Sequence, residues 1–199
     1  PAAAVPELRP LFTGWEEADS IVVNPHKWLF TPIDCSVLYV RDPRTLRNAF
    51  SLTPEYLTTS EGDSVRNLMD YGVALGRRFR SLKLWFVLRY FGSRGIRDRI
   101  RHHVEMAREL ASWVDDARGW ERMAPVPFST VVFRYAPASL TGAEQDKGNR
   151  AIMDQVNRSG EFFLSHTVLN GRFCIRIALG NLRTRGKDVA RCWELLEEA

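Results

Sequence analysis

Lysine is scarce in this 199-residue sequence: Lys27, Lys83, Lys147 and Lys187 stand against 24 arginines, so chemistry that needs a primary amine has four candidates. Cysteine is scarce too. Cys35, Cys174 and Cys192 are odd in number, widely spaced and outside any CxxC or Cys/His pattern, which excludes a disulfide framework or zinc site and points to a reducing cytoplasm. Long apolar runs are missing. A stretch such as Leu84 to Leu88 falls far short of the roughly twenty residues that span a bilayer, and no basic-then-apolar leader precedes it, so neither a membrane nor a secreted protein is expected. A dominant charge is also lacking, because 28 basic residues are dispersed among 24 acidic ones for a formal net charge of +4. Nucleic-acid binding is therefore not expected. No internal repeat occurs, and low complexity is confined to Pro1–Pro6. The chain opens at Pro1 without an initiator Met, as expected of a processed or partial product.

What is present is the composition of a globular protein, 45% hydrophobic and 26% charged, long enough for one full core or two small ones. The β-branched runs Ser20–Val23 and Ser36–Val40 predict two strands joined by a longer turn that carries Lys27. The polar stretch from Thr53 to Asp70 has no periodic apolar face and predicts a loop. Leu75, Phe79, Leu82 and Phe86 then recur at helical spacing, predicting a buried helix over about 75–92 that ends near Gly92. A second helix follows from Ser93 to before Gly119, with Ile96, Ile100, Val104, Ala107 and Val114 on its apolar stripe. Beyond it the pattern predicts a strand (Ser129–Tyr135), a helix (about Glu144–Arg158), strands at Glu161–Ser165 and Arg172–Ala178, and a terminal helix. That last helix is capped by Thr184 and turns Val189, Trp193 and Leu196 inward. The chain thus reads as a small α+β domain over 93–199 appended to the end of a larger one over 1–92.

Asn24-Pro25-His26-Lys27-Trp28 is the segment richest in chemistry. A lysine just after a strand, in a Pro-stiffened turn beside His and Trp, suits a desolvated, nucleophilic amine able to form a Schiff base; a surface turn with an exposed lysine is the alternative. Lys83, in the apolar helix, is the rival and lacks such a turn. The pair His102-His103 has no third ligand at metal spacing and reads as a solvated face, so no metal site is expected. Trp28, Trp85 and Trp193 read as core anchors, and Arg134 and Arg176 as structural ion-pair partners.

Four ordered motifs extend this reading. Asn24-Pro-His-Lys27-Trp28, Asp34-Cys35-Ser36, Thr53-Pro-Glu-Tyr56-Leu57 and Leu75-Gly-Arg-Arg-Phe-Arg-Ser-Leu-Lys-Leu-Trp85 together resemble the pyridoxal-phosphate-dependent group II decarboxylases, in their aromatic-L-amino-acid branch, from about Val5 to the C-terminus. The resemblance implies an α/β fold: the end of a fold type I large domain, with a catalytic loop at about 53–70 and an interdomain helix at about 75–92, then the small C-terminal domain. It implies that Lys27 holds pyridoxal 5'-phosphate as a Schiff base, that Asn24 hydrogen-bonds the cofactor phosphate and that His26 lines the pocket. Tyr56 matches the tyrosine assigned to protonating the substrate Cα after carbon dioxide leaves. Gly76 matches a pocket position where a missing side chain leaves room for an indole or catechol ring.

The family's partners and missing pieces follow in the same way. The resemblance implies a cytoplasmic homodimer with shared active sites, acting on a small-molecule amino acid. It also places the acid facing the pyridine nitrogen, the ring-stacking residue and the phosphate cup upstream of Pro1, so that this chain alone is expected to bind cofactor poorly and to be inactive. Two alternatives remain: an aromatic aldehyde synthase, to which relatives with Phe at the Tyr56 position tend, and a non-catalytic fragment or Arg-rich interaction module.

Overall fold

The computed structural model describes residues 1–51 and 65–199. Two compact units meet in sequence at Gly92 and Ser93: one comprises Pro1 and Ala3–Gly92, the other Ala2 and Ser93–Ala199.

In the first unit, strands β1 (Ser20–Val23) and β2 (Val37–Val40) form an antiparallel pair in the register Ser20 with Val40 and Val23 with Val37. Helix α1 (Pro43–Phe50) follows, started by Asp42, whose carboxylate accepts from the Arg44 N–H at 3.0 Å, and by proline in its first turn. Leu68–Tyr71 forms a short 3₁₀ turn within the stretch expected to be loop.

The apolar periodicity from Leu75 overstates the next helix. Hydrogen-bonded helix α2 begins at Arg80 and runs to Asp116, and residues 75–79 are not helical. Leu75 and Phe79 are 66% and 74% exposed, so no packing stabilises a helical first turn against the cost of Gly76. Nor is the 80–92 segment buried within this chain, since Trp85 and Phe86 remain 54% and 58% exposed. Trp85 is therefore not a core anchor here, Trp28 is half-buried, and only Trp193 of the three is buried. The α2 hydrogen-bonding run is broken at Gly92, with φ 65° and ψ 171°, a conformation open essentially to glycine.

In the second unit, β3 (Trp120–Arg122), β4 (Thr130–Tyr135), β5 (Ser165–Leu169) and β6 (Arg172–Ala178) form an antiparallel sheet in the order β3-β4-β6-β5. Helices α3 (Gly142–Ser159) and α4 (Gly186–Glu198) pack with the 93–116 part of α2 around one apolar core that includes Leu110, Val131, Phe133, Ile152, Ile175 and Trp193. Fully burying each such side chain contributes roughly 1.5–3 kcal/mol. Trp120 ties the short β3, unforeseen in the sequence, to this core, its ring centroid 5.7 Å from Phe133 and 5.2 Å from Trp193. Fully buried Asn149 bridges α3 to the end of β4, accepting from the Tyr135 N–H and donating to the Tyr135 carbonyl, both at 2.7 Å.

Three boundaries differ from the sequence pattern for local reasons. The strand expected at Glu161–Ser165 begins only at Ser165, because the Asn157 side chain takes both backbone groups of Leu164, at 2.6 and 3.2 Å. An Asn170-Gly171 turn, with φ values of 51° and 75°, then sets the β5–β6 register. The terminal helix is capped by Arg185 rather than Thr184, with the Arg185 N–H donating to the Asp188 carboxylate at 2.9 Å.

His103 is 3% exposed rather than solvated, and its Nε2 lies 3.1 Å from the Asn181 carbonyl, which assigns that nitrogen as the donor. Burial holds its pKa below the ordinary value of 6.5, against the opposing pull of that hydrogen bond. The folded state therefore binds fewer protons than the unfolded one below about pH 6.5, and the stability associated with neutral His103 is present above that pH and lost as pH falls through the window beneath it. Urea midpoints are expected to drop from pH 7 to pH 5, with a shallower slope in His103→Gln; identical slopes in the two proteins would refute this role.

Candidate active site

The connection between β1 and β2 is a folded turn rather than a slack loop. The Lys27 N–H donates to the Asn24 carbonyl at 2.9 Å, and the Thr31 N–H to the Pro25 carbonyl at 3.1 Å. Pro25 and Thr31 are buried, while Phe30 takes a left-handed conformation at φ 56° and meets Phe91 edge-on at 6.0 Å between ring centroids. For a residue with a Cβ that conformation costs about 1–2 kcal/mol, and the hydrogen bonds on either side hold it.

The imidazole of His26 locks the two ends of this turn together. Its Nδ1 lies 3.1 Å from the Cys35 N–H and 2.7 Å from the Cys35 carbonyl, and the His26 N–H donates to that carbonyl at 3.3 Å. Unprotonated Nδ1 accepts from the amide; protonated Nδ1 donates to the carbonyl. Either tautomer keeps residues 26 and 35 together. Next to it, Ser36 Oγ donates to Asn24 Oδ1 at 2.6 Å, which leaves the Asn24 NH₂ to donate elsewhere. Asp34 accepts from Arg80 Nε at 2.8 Å, with Arg78 4.0 Å away, and the Arg80 guanidinium holds the Asp34 carboxyl below the usual carboxylate range. Cys35 is buried, with its Sγ 3.9 Å from the Arg80 carbonyl.

Asn24, His26 and Lys27 are thus brought together by one turn. Asn24 and His26 are half-buried; Lys27 is exposed, so the described residues do not supply the desolvation expected of a nucleophilic amine. Gly76 is also exposed, in the irregular stretch before α2, with nothing within 4 Å of where a Cβ would stand. Tyr56 lies outside the described residues. Sequence reasoning missed the Ser36–Asn24 and Asp34–Arg80 pairings as supports of the turn. The quoted motifs contained all four residues, but nothing in their spacing pairs them.

The turn fits pyridoxal phosphate in kind: a primary amine displayed at Lys27 can meet an aldehyde, and an amide whose oxygen is already engaged can donate to a phosphate. Comparison with known proteins agrees. The pyridoxal-dependent decarboxylase conserved domain matches residues 2–136. The chain belongs to this family. Phenylacetaldehyde synthase of Arabidopsis thaliana is 40% identical over 199 residues, covering 99% of this chain and 41% of that protein. Tryptophan decarboxylase 2 of Oryza sativa subsp. japonica is 41% identical over 199 residues, covering 99% of this chain and 40% of that protein. The crystal structure of Oryza sativa TDC with PLP and tryptamine superposes with a TM-score of 0.91 at 38% identity, covering 98% of this chain and 41% of that one. The chain therefore spans about two-fifths of the length of these relatives.

If His26 is the lock of the turn, removing its ring frees the Cys35 amide. His26→Ala is expected to raise hydrogen exchange at Cys35 by tenfold or more, with amides in the 93–199 unit unchanged. Unaltered exchange at Cys35 would show that the ring does not hold the turn.

Proposed function

We propose that the protein is a pyridoxal-phosphate-dependent decarboxylase of aromatic L-amino acids, releasing the amine and carbon dioxide, and that Lys27 carries the cofactor. The observation that supports this most is the Asn24–Lys27 turn, held by His26 and Ser36 in a member of the family. When bound, the cofactor ring supplies the electron sink for breaking the bond at the substrate Cα.

The chain's residues do the rest. Lys27 would hold the cofactor aldehyde through its Nζ and would give up that place to the substrate amine. Asn24 donates to the cofactor phosphate through its NH₂, held in place by Ser36. His26 fixes the turn through Cys35 and presents its other ring nitrogen as pocket lining. Tyr56 delivers a proton to Cα; a phenol with an unperturbed pKa near 10 is protonated at neutral pH and can act as the acid. Gly76 leaves room for an indole or catechol ring.

The first unit, residues 1–92, is read as the end of a fold type I large domain, and 93–199 as the small C-terminal domain. The intact enzyme is read as a cytoplasmic homodimer with sites shared across its subunits, completed by an upstream part of the same polypeptide; the chain alone is expected to be inactive. The exposed apolar side chains of α2 before Gly92 suit a segment covered in that assembly.

One finding favours a second reading: phenylacetaldehyde synthase of Arabidopsis thaliana is as similar to this chain as the decarboxylases are. An aldehyde synthase consumes oxygen and releases ammonia and peroxide with the carbon dioxide, whereas a decarboxylase releases amine. Tyrosine at position 56 favours the decarboxylase.

Borohydride reduction of the intact holoenzyme followed by peptide mapping is expected to place the pyridoxyl label on Lys27 and to find none in Lys27→Ala; label on another residue overturns the assignment. Tyr56→Phe is expected to lower amine formation by about 10²–10³-fold and to yield aldehyde with peroxide. Unchanged amine output would remove Tyr56 from the proton transfer.

A further inference from the structure

The small unit holds a cavity of about 470 Å³ between the β5–β6 strands and α4, remote in sequence from the Lys27 turn. Its floor is apolar: Leu164, Leu179, Val189 and Cys192 line it and are buried. Burial pushes the Cys192 thiol up to about 11, so it adds no charge at neutral pH. The charged groups around the cavity are unequal. Glu161 is committed to Arg191, with two contacts of 3.3 Å. Asp188 is committed to the start of α4, accepting from the Arg185 N–H at 2.9 Å.

Arg176 is different. The sequence reading as an ion-pair partner holds for Arg134, which reaches Asp146 at 3.1 Å, but among the described residues no carboxylate pairs with Arg176. Its Nη1 makes one long contact, 3.4 Å to Ser165 Oγ, and that hydroxyl donates its own proton to the Arg176 carbonyl at 3.2 Å. A half-buried guanidinium with five N–H donors is left with most of them uncommitted beside an apolar floor. An unpaired cation in such a place repels ammonium groups and recognises a planar anion through paired hydrogen bonds. Thr184 and Asn181, also on the lining, add polar groups nearby.

We propose that this cavity is a second binding site, taking a small carboxylate on an apolar body, with the carboxylate on Arg176 and the body against Leu164, Leu179 and Val189. The volume accommodates a phenyl-sized group with a short chain. The site stands independently of the role given to Lys27.

The test uses the intact holoenzyme with 3-phenylpropionate as probe, and with the uncharged 3-phenylpropanamide and cationic phenethylamine as comparisons, read by calorimetry and hydrogen-exchange mass spectrometry. The carboxylate is expected to protect the segments 161–165 and 176–192, and the amide and amine to leave them unprotected. Arg176→Met is expected to weaken this binding at least tenfold and Arg176→Lys to retain part of it. Lys27→Ala is expected to leave protection at these segments unchanged, which separates this site from the cofactor turn. Should Arg176→Met fail to fold, the comparison of carboxylate with amide on the unmodified protein decides the matter. Equal protection by the amide, protection only outside these segments, or wild-type affinity in a folded Arg176→Met overturns the proposal.

Discussion

The contact between the His26 ring and the Cys35 backbone is the constraint on which the candidate site rests. An isolated two-stranded pair such as β1–β2 is only marginally stable, and the turn between them includes a left-handed phenylalanine that a free chain avoids. The imidazole closes the turn across nine residues in either tautomer. Lys27 is the residue immediately after the lock, so the ring that steadies the turn also sets where the amine emerges. Ser36 performs the same service for Asn24 from the first residue before β2. The placement of Lys27 and Asn24, the two groups proposed to meet the cofactor, thus rests on neighbours that hold the turn through backbone and amide oxygen.

The two units are stabilised in different ways. In 93–199 one core joins the sheet to three helical segments, and the polar groups within it are mostly satisfied: Asn149 takes three short hydrogen bonds, and Arg134 pairs with Asp146 and Gln145. An unsatisfied buried polar group costs about 1–3 kcal/mol, so the two unbonded nitrogens of fully buried Arg134 mark this as the least economical spot in that core. In the first unit apolar side chains stand outward instead. Phe79, Trp85, Phe86 and Tyr90 are all more than half exposed.

The second unit was largely legible in the sequence. Alternation in Arg172–Ala178 and the helical stripe from Ile96 to Val114 each report a buried face, and both elements form where the pattern puts them, although Cys174 on the other face of the strand is buried as well. Periodicity failed where burial was absent or where side chains competed with the backbone. Leu75 and Phe79 have helical spacing without a covering surface, and Asn157 removes Leu164 from the sheet ladder. The short strand β3 escaped notice because three residues carry too little pattern to register.

By itself the sequence determined the family and its cofactor, because these depend on residue types in a fixed local order, which spacing preserves, and it singled out Lys27 as the candidate amine. Only the tertiary structure decided which groups are already spoken for. That His26 is held by Cys35, that His103 is buried, that Arg134 has an acid and that Arg176 has none among the described residues are all outcomes of distance between residues remote along the chain. Hydrogen bonds and ion pairs act over a few ångströms of space, and separation along the sequence does not encode that distance.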